Sequence, residues 1–278
     1  MGFDFLKSLT SQNSEYNDSV EYDFNDINKH LDFMVLELSR VFGDKLAFKG
    51  GYMLTKMIGD MARQTTDIDF SIASDELYET IKSSLLEIAN NFMDKNIIDD
   101  YKLKETIQPR CSGGIDFYKD SQKILGVDIG WHDISYGTTM MELDVGSIRT
   151  FEVERMLADK ITAILSRKRF RRPKDIYDLY CISNCLSFDA SKVAEYILNR
   201  TEGVGAEWGN FPFSDTVLKE YEKAYNSLTL TSIHKNRVLE RPLFMKVYER
   251  FCVIAWKVKE PTYEIYWNKE RKCFTYDR

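Results

Sequence analysis

At 278 residues, with 44% hydrophobic and 13% aromatic content, the chain carries enough apolar material for a sizeable core and exceeds the usual single-domain size. Its formal net charge of -6 argues against a surface coated in basic residues, so any contact with nucleic acid has to be local. Five scattered cysteines with no C-x-x-C pair, and only three histidines, argue against a disulfide framework or structural zinc. No stretch approaches the roughly 18 uninterrupted apolar residues of a membrane span, so a soluble, unexported, cytoplasmic chain is expected.

In chain order, residues 1–20 are rich in Ser, Asn and Asp without apolar period and read as a loosely docked arm. From Asp26, the positions Ile27, Leu31, Met34, Val35 and Leu38 recur at helical spacing up to Gly43. Lys45 to Phe48 then predicts a short strand, Gly50-Gly51 a turn, and Met53 to Ile58 a helix. Thr66 to Ile72 predicts a strand, and Leu77, Ile81, Leu85 and Ile88 a helix with Asp75 as its N-cap. Strand-like runs follow at Tyr101 to Ile107, Ile115 to Tyr118, Ile124 to Trp131 and Met140 to Leu143, giving a mixed sheet with antiparallel additions. Beyond about Phe151 the pattern turns helical, at about 152–167, 174–183, 189–200, 214–227 and 240–257, and ends in an aromatic hairpin over 263–276. The expected fold is α+β, with a mixed-sheet lobe over residues 1–150 and a mainly helical lobe over 151–278 that carries the C-terminal hairpin.

In Thr65-Thr66-Asp67-Ile68-Asp69-Phe70 the two aspartates stand two apart, which on a strand points both to one face while Ile68 and Phe70 enter the core. Carboxylates that close repel unless a cation lies between them, and Mg2+, a hard ion that bridges carboxylates to substrate phosphates, suits the pair. Asp128 is the candidate third acid, with Asp116 as its rival. Taken alone, Asp-x-Asp more often marks a solvated strand face; its neighbours change that reading. Lys49-Gly50-Gly51, ahead of a helix, places backbone N–H groups where an anion is favoured, and glycines let phosphate approach.

Further along, Lys160 and Arg167 are seven apart on one helix and fall on the same edge; if that edge borders the site Lys160 suits a phosphate, and otherwise it is a lysine snorkelling beside the core. Asp175 follows Pro173 at a helix start, either as a carboxylate favoured by the helix dipole or as an acid that orients Lys160 or an acceptor hydroxyl. Asp178, one turn on, reads as structural. Arg167 to Lys174 is the one dense basic run, with Phe170 inside it, and is a candidate RNA contact.

Together, Lys49-Gly50-Gly51, Arg63, Thr66 and Asp67-Ile68-Asp69 resemble the first motif of the AbiEii/AbiGii-type nucleotidyltransferase toxins, a branch of the DNA polymerase beta-like nucleotidyltransferase superfamily. Lys160, Arg167 and Lys174-Asp175-Ile176-Tyr177-Asp178-Leu179-Tyr180 are similar to that family's later motifs, so the resemblance spans about 45–182. It implies Mg2+-dependent transfer of a nucleoside monophosphate from a nucleoside triphosphate to an acceptor, a tRNA acceptor end or a protein hydroxyl with tRNA preferred, by the toxin of a toxin-antitoxin (abortive infection) system with a cognate antitoxin. On this reading Asp67, Asp69, Asp128, Lys160 and Asp175 are catalytic, and the first three hold the metal. Lys49, Gly50, Gly51, Tyr52, Arg63, Thr66 and Arg167 bind nucleotide, although Tyr52 stands where the superfamily usually has Ser or Thr. Transfer to a small molecule such as an antibiotic, and a catalytically silent nucleotide- or RNA-binding module, are the alternatives.

Overall fold

A computed structural model describes residues 27–74, 76–105, 113–131, 133–143, 146–166, 172–199, 208–228, 241–260 and 265–276. The expected N-terminal arm, the Asp75 cap and the basic run from Arg167 to Arg171 lie outside the described residues.

Helix α1 (Ile27–Phe42) buries Leu31, Met34, Val35, Leu38 and Phe42, one stripe of a 3.6-residue period, and stops at Gly43, whose φ of +54° suits a residue without Cβ. Strand β1 (Leu46–Lys49) runs directly into α2 (Gly50–Ile58), which leads through a short turn to β2 (Asp67–Ile72). Helix α3 (Leu77–Asp94) crosses back, and β3 (Asp100–Glu105), β4 (Gly113–Lys119) and β5 (Gln122–Gly130) follow as an antiparallel run. A hairpin of β6 (Thr138–Leu143) and β7 (Gly146–Phe151) completes a seven-stranded sheet of order β3-β4-β5-β2-β1-β7-β6. The sheet is mixed because β5 joins β2 in parallel and β7 joins β1 in parallel.

Strand alternation assigns the faces. Ile68, Phe70, Ile115, Phe117, Val127 and Ile129 are buried beneath α1 and α3, where Phe92 of α3 packs 5.9 Å from Phe117 and 5.9 Å from Phe33 of α1. The acidic residues between those positions therefore project to the opposite face.

The sequence pattern missed β7. Its Ser147, Arg149 and Thr150 read as polar loop, but Thr150 is fully buried and its hydroxyl donates to the Phe48 carbonyl (3.0 Å). Arg149 is absorbed by the carbonyls of Asp44 (2.6 Å) and Ile134 (2.7 Å) and by the Thr138 hydroxyl (3.0 Å).

Helices then dominate: α4 (Val153–Leu165), α5 (Pro173–Cys185), α6 (Ala190–Leu198), α7 (Asp215–Asn226) and α8 (Phe244–Lys259). Pro173 opens α5, where its missing N–H costs nothing. Asp189 caps α6 by accepting from the N–H groups of Ser191 (2.8 Å) and Lys192 (3.3 Å). The C-terminal hairpin forms from β9 (Tyr266–Asn268) and β10 (Cys273–Thr275), and it acquires a third strand, the two-residue β8 (Phe188–Asp189), too short for any sequence period to reveal. The buried apolar side chains form one continuous cluster from the large sheet into these helices.

Trp267 fastens the hairpin to the helices. It is fully buried, donates from its indole N–H to the Ser183 carbonyl (2.7 Å), stacks on Phe188 and meets Phe274 edge-on. Trp267→Ala should cost about 3–5 kcal/mol in urea denaturation; a loss below about 1 kcal/mol would show that the hairpin contributes little to the fold.

Candidate active site

The site is built from rows of cross-strand neighbours. Lys49 of β1 pairs with Asp69 of β2, Asp69 with Asp128 of β5, Asp128 with Gly114 of β4, and Gly114 with Lys104 of β3. Residues paired across strands share a face, so one row carries Lys, Asp, Asp, Gly and Lys over five strands. Two residues along, Asp67 pairs with Gly126, and Gly126 with Asp116. Asp67, Asp69 and Asp128 thus meet on one face, with Asp116 one strand beyond Gly126. Asp128 stands beside Asp69 in the same row, whereas Asp116 belongs to the Asp67 row.

The glycine turn touches the acids directly. Gly50 begins α2 with a φ of +76°, and a Cβ there would overlap the Asp69 carboxylate. The N-cap, Lys49, makes no side-chain cap and the first turn holds no acidic residue, so the electropositive end of α2 is turned toward Asp69. Gly51 is closed over by Thr65, whose hydroxyl would stand 3.2 Å from an added Cβ and which also accepts from the Asp67 N–H (3.3 Å). Thr65 was not singled out from the sequence, although the period of two that aligned Asp67 with Asp69 places it on the same face. Thr66 contributes its backbone, its carbonyl accepting from the Gly126 N–H (2.9 Å). Tyr52 is buried and donates to Asp32 (2.5 Å), so its side chain is spent on the α1 contact and only its backbone faces the turn.

Burial pushes the Asp69 carboxyl up to about 6, with the negative charge of Asp128 adding to it, Lys49 opposing, and Asp67 adding further. Two lysines that the sequence reading passed over neutralise the neighbouring acids. Lys104 lies 2.6 Å from Asp128 and 3.0 Å from Asp116, and Lys123 lies 2.8 Å from both Asp67 and Asp116. For Lys123, burial lowers the proton affinity, but Asp116 and Asp67 outweigh it and hold the ammonium charged. Even so, Asp67 Oδ1 and Asp116 Oδ1 are shielded from solvent without an aligned hydrogen bond, at ion-pair distance only.

The helical part contributes a second charged group. Asp178 of α5 is 4% exposed and receives Lys160 of α4 (2.7 Å), Arg63 Nη2 (3.1 Å) and Arg63 Nε (3.0 Å). Lys160 also meets Asp175 at 3.3 Å. Burial would strip the proton from Lys160, but Asp178 and Asp175 keep it charged, and Lys160 and Arg63 in turn hold the Asp178 carboxyl below its ordinary range. Arg63, expected to contact nucleotide, is engaged with Asp178 across 115 residues of sequence. Asp178, read from the sequence as structural, is the centre of this cluster. Arg167 lies outside the described residues.

A divalent cation fits this donor set. The acids offer hard carboxylate oxygens, Asp69 is crowded by like charge, and Asp67 Oδ1 is incompletely satisfied. Among the described residues no three such side chains converge as a ready-made cage, and Lys104 and Lys123 are the groups that meet Asp128, Asp67 and Asp116.

Fold and site together define the class: the chain is a nucleotidyltransferase. A family model described as nucleotidyl transferase AbiEii toxin, type IV TA system, matches residues 36–249, and the chain belongs to that family. No curated protein matches it. Among solved structures it is similar to a proposed nucleotidyltransferase from H. pylori, with a TM-score of 0.49 and 14% identity over 84% of this chain and 92% of that one. It is also similar to JHP933 from Helicobacter pylori, with a TM-score of 0.48 and 15% identity over 84% and 91% of the two chains. The Megavirus polyadenylate synthase follows at 0.40 and 16%, over 65% of this chain and 35% of that one.

Two measurements check this arrangement. Asp178→Asn leaves Arg63 and Lys160 buried without their counter-charge and should cost about 3–5 kcal/mol by denaturant melting, well above Asp175→Asn; equal, small losses would dissolve the cluster as a stabilising unit. With its carboxyl at about 6 against an ordinary 3.8, Asp69 binds its proton more tightly in the native state. Without metal, its contribution to stability is therefore full below about pH 4 and is lost as pH rises toward 6, by about 3 kcal/mol. The difference in stability between Asp69→Asn and the native chain in EDTA should grow across that window and then level off; a pH-independent difference would contradict the assignment.

Proposed function

We propose that this chain transfers a nucleoside monophosphate from a nucleoside triphosphate onto a tRNA acceptor end, with Mg2+ held by Asp67, Asp69 and Asp128, as the cytoplasmic toxin of an abortive-infection pair restrained by a cognate antitoxin. The observation that carries this reading is the contact of Gly50 with the Asp69 carboxylate, which joins the anion-binding helix end to the acidic row. On this reading residues 1–150 and 151–278 form two lobes with the substrate between them.

The residues divide the work as follows. The N–H groups at Gly50 and Gly51, with Lys49 alongside, receive the triphosphate at the positive end of α2. The bound metal supplies charge neutralisation of the phosphates and lowers the cost of ionising the acceptor hydroxyl. The acceptor oxygen attacks the α-phosphorus, the bond from that phosphorus to the bridging oxygen breaks, and pyrophosphate departs with its electrons. Asp128, beside Asp69 and the most exposed of the acids at 48%, is placed to take the hydroxyl proton. Lys160, held charged by Asp178 and Asp175, adds positive potential at the side of Asp69 facing the helices, since its charge acts on Asp69 across the lobes. Arg63 anchors Asp178 and so positions Lys160.

Incubating the protein with Mg2+, each labelled nucleoside triphosphate in turn, and total tRNA, protein acceptors or aminoglycosides should place label in tRNA. Asp69→Asn should lower that transfer by at least about a hundredfold, the scale expected for loss of an electrostatic contribution to the transition state. Label in the aminoglycosides instead would favour a small-molecule transferase, and tight nucleotide binding without transfer a silent module.

A further inference from the structure

Lys104 and Lys123 belong to neither motif of the site, yet both end on its acids. Their reach depends on two glycines. Lys104 stands two strands from Asp128 in the same row, with Gly114 between them; a Cβ at Gly114 would lie 3.0 Å from Lys104 Cε and overlap the Val127 carbonyl. Neighbouring strands are about 4.8 Å apart, so the ammonium spans that gap only by crossing the bare backbone of Gly114. Lys123 repeats the device over Gly126, where a Cβ would overlap Asp67 Oδ1 and lie 2.8 Å from Lys123 Nζ and 2.9 Å from Asp116 Oδ1. Both lysines share Asp116, which is 17% exposed and is the only acid of the four to meet both ammonium groups among the described residues.

We propose that Lys104 and Lys123 are internal counter-cations, which hold Asp128 and Asp67 in the metal-free protein, leave them when a divalent cation binds, and remain tethered to Asp116. This rests on Asp67, Asp69 and Asp128 being metal ligands. The pairs are suited to exchange because they are partly exposed, Lys104 at 29% and Lys123 at 36%, and ion pairs of that kind are individually weak. A divalent ion bound by carboxylates displaces the competing ammonium charge by direct repulsion at short range. Asp116 then has a role distinct from its neighbours: it is a positioning residue that keeps the released lysines at the rim of the site. With the lysines in place Asp67 and Asp128 are each ion-paired, while Asp69 keeps its like-charged neighbours.

The test uses the whole chain without nucleotide. Mn2+ is titrated with free ion followed by electron paramagnetic resonance, and an amine-acylating reagent is applied with and without saturating metal, with labelling quantified by peptide mass spectrometry. Labelling of Lys104 and Lys123 should rise at least about threefold with metal, while Lys119, paired with Asp99 away from the site, stays constant. Lys104→Met and Lys123→Met should each tighten Mn2+ binding by about tenfold, whereas Lys119→Met, which changes the net charge equally, should not. Saturable Mn2+ binding with unchanged labelling, or equal effects of all three substitutions, overturns the displacement. Absence of saturable Mn2+ binding overturns the metal reading, and the displacement with it.

Discussion

The parallel pairing of β2 with β5, in register at Asp69 and Asp128, is the constraint on which the rest of the site depends. Each strand is buried on its other face through Ile68, Phe70, Val127 and Ile129 beneath α1 and α3, so neither can slip by one residue without exposing its core side chains. Register fixed by the hydrophobic face thereby fixes the acids on the polar face. The antiparallel pairing with β1 carries the same order to Lys49, and through it to the start of α2, so the glycine turn and the acids are positioned by one sheet. The helix end needs no separate device to find the carboxylates.

Connection to the helical part is made by charge as well as by packing. Arg63 leaves the segment between α2 and β2, Lys160 comes from α4, and both end on Asp178 of α5. A carboxylate this buried is tolerable only because two cations and their hydrogen bonds replace its water, and removing any one member leaves the others uncompensated. Such a cluster gives modest net stability but strong geometric definition, which suits the positioning of Lys160 in the proposed function. The helices thereby supply positive potential toward Asp69, itself crowded by negative neighbours.

Period-two spacing was enough to read Asp67 and Asp69 onto one face, and helical period enough to place α1, α3 and the helices beyond 151. Element order and the α+β class followed from these local patterns. What escaped was set by partners distant in sequence. Strand β7 hid because Arg149 and Thr150 satisfy their polar groups against chain up to 105 residues away, and β8 because two residues carry no period. The partner of Arg63, Asp178, is 115 residues distant and so was not legible from local pattern. Lys104 and Lys123 stood among polar strand residues without any motif; the pairing of β3, β4 and β5 sets Lys104 opposite Gly114, and Lys123 reaches Asp67 and Asp116 past Gly126 of its own strand. Thr65 is the exception: its face was legible from the same alternation that selected Asp67.

Two kinds of charge compensation therefore coexist around Asp69, and burial separates them. Asp178, at 4% exposure, is matched by Arg63 and Lys160 in an environment where leaving one charge alone is prohibitive, so that group is fixed through any catalytic cycle. Asp67 and Asp128, at 35% and 48% side-chain exposure, are matched by partly exposed lysines, and the proposed exchange with a divalent cation acts on those pairs. Asp69 lies between the two regimes: it is less enclosed than Asp178, and its carboxyl is raised by burial and by the charges of Asp128 and Asp67, with Lys49 and Lys160 opposing. A carboxylate so placed is stabilised in its charged form by a cation at the row, and under the proposed function Asp69 is the group on which a metal and the positive end of α2 would act together.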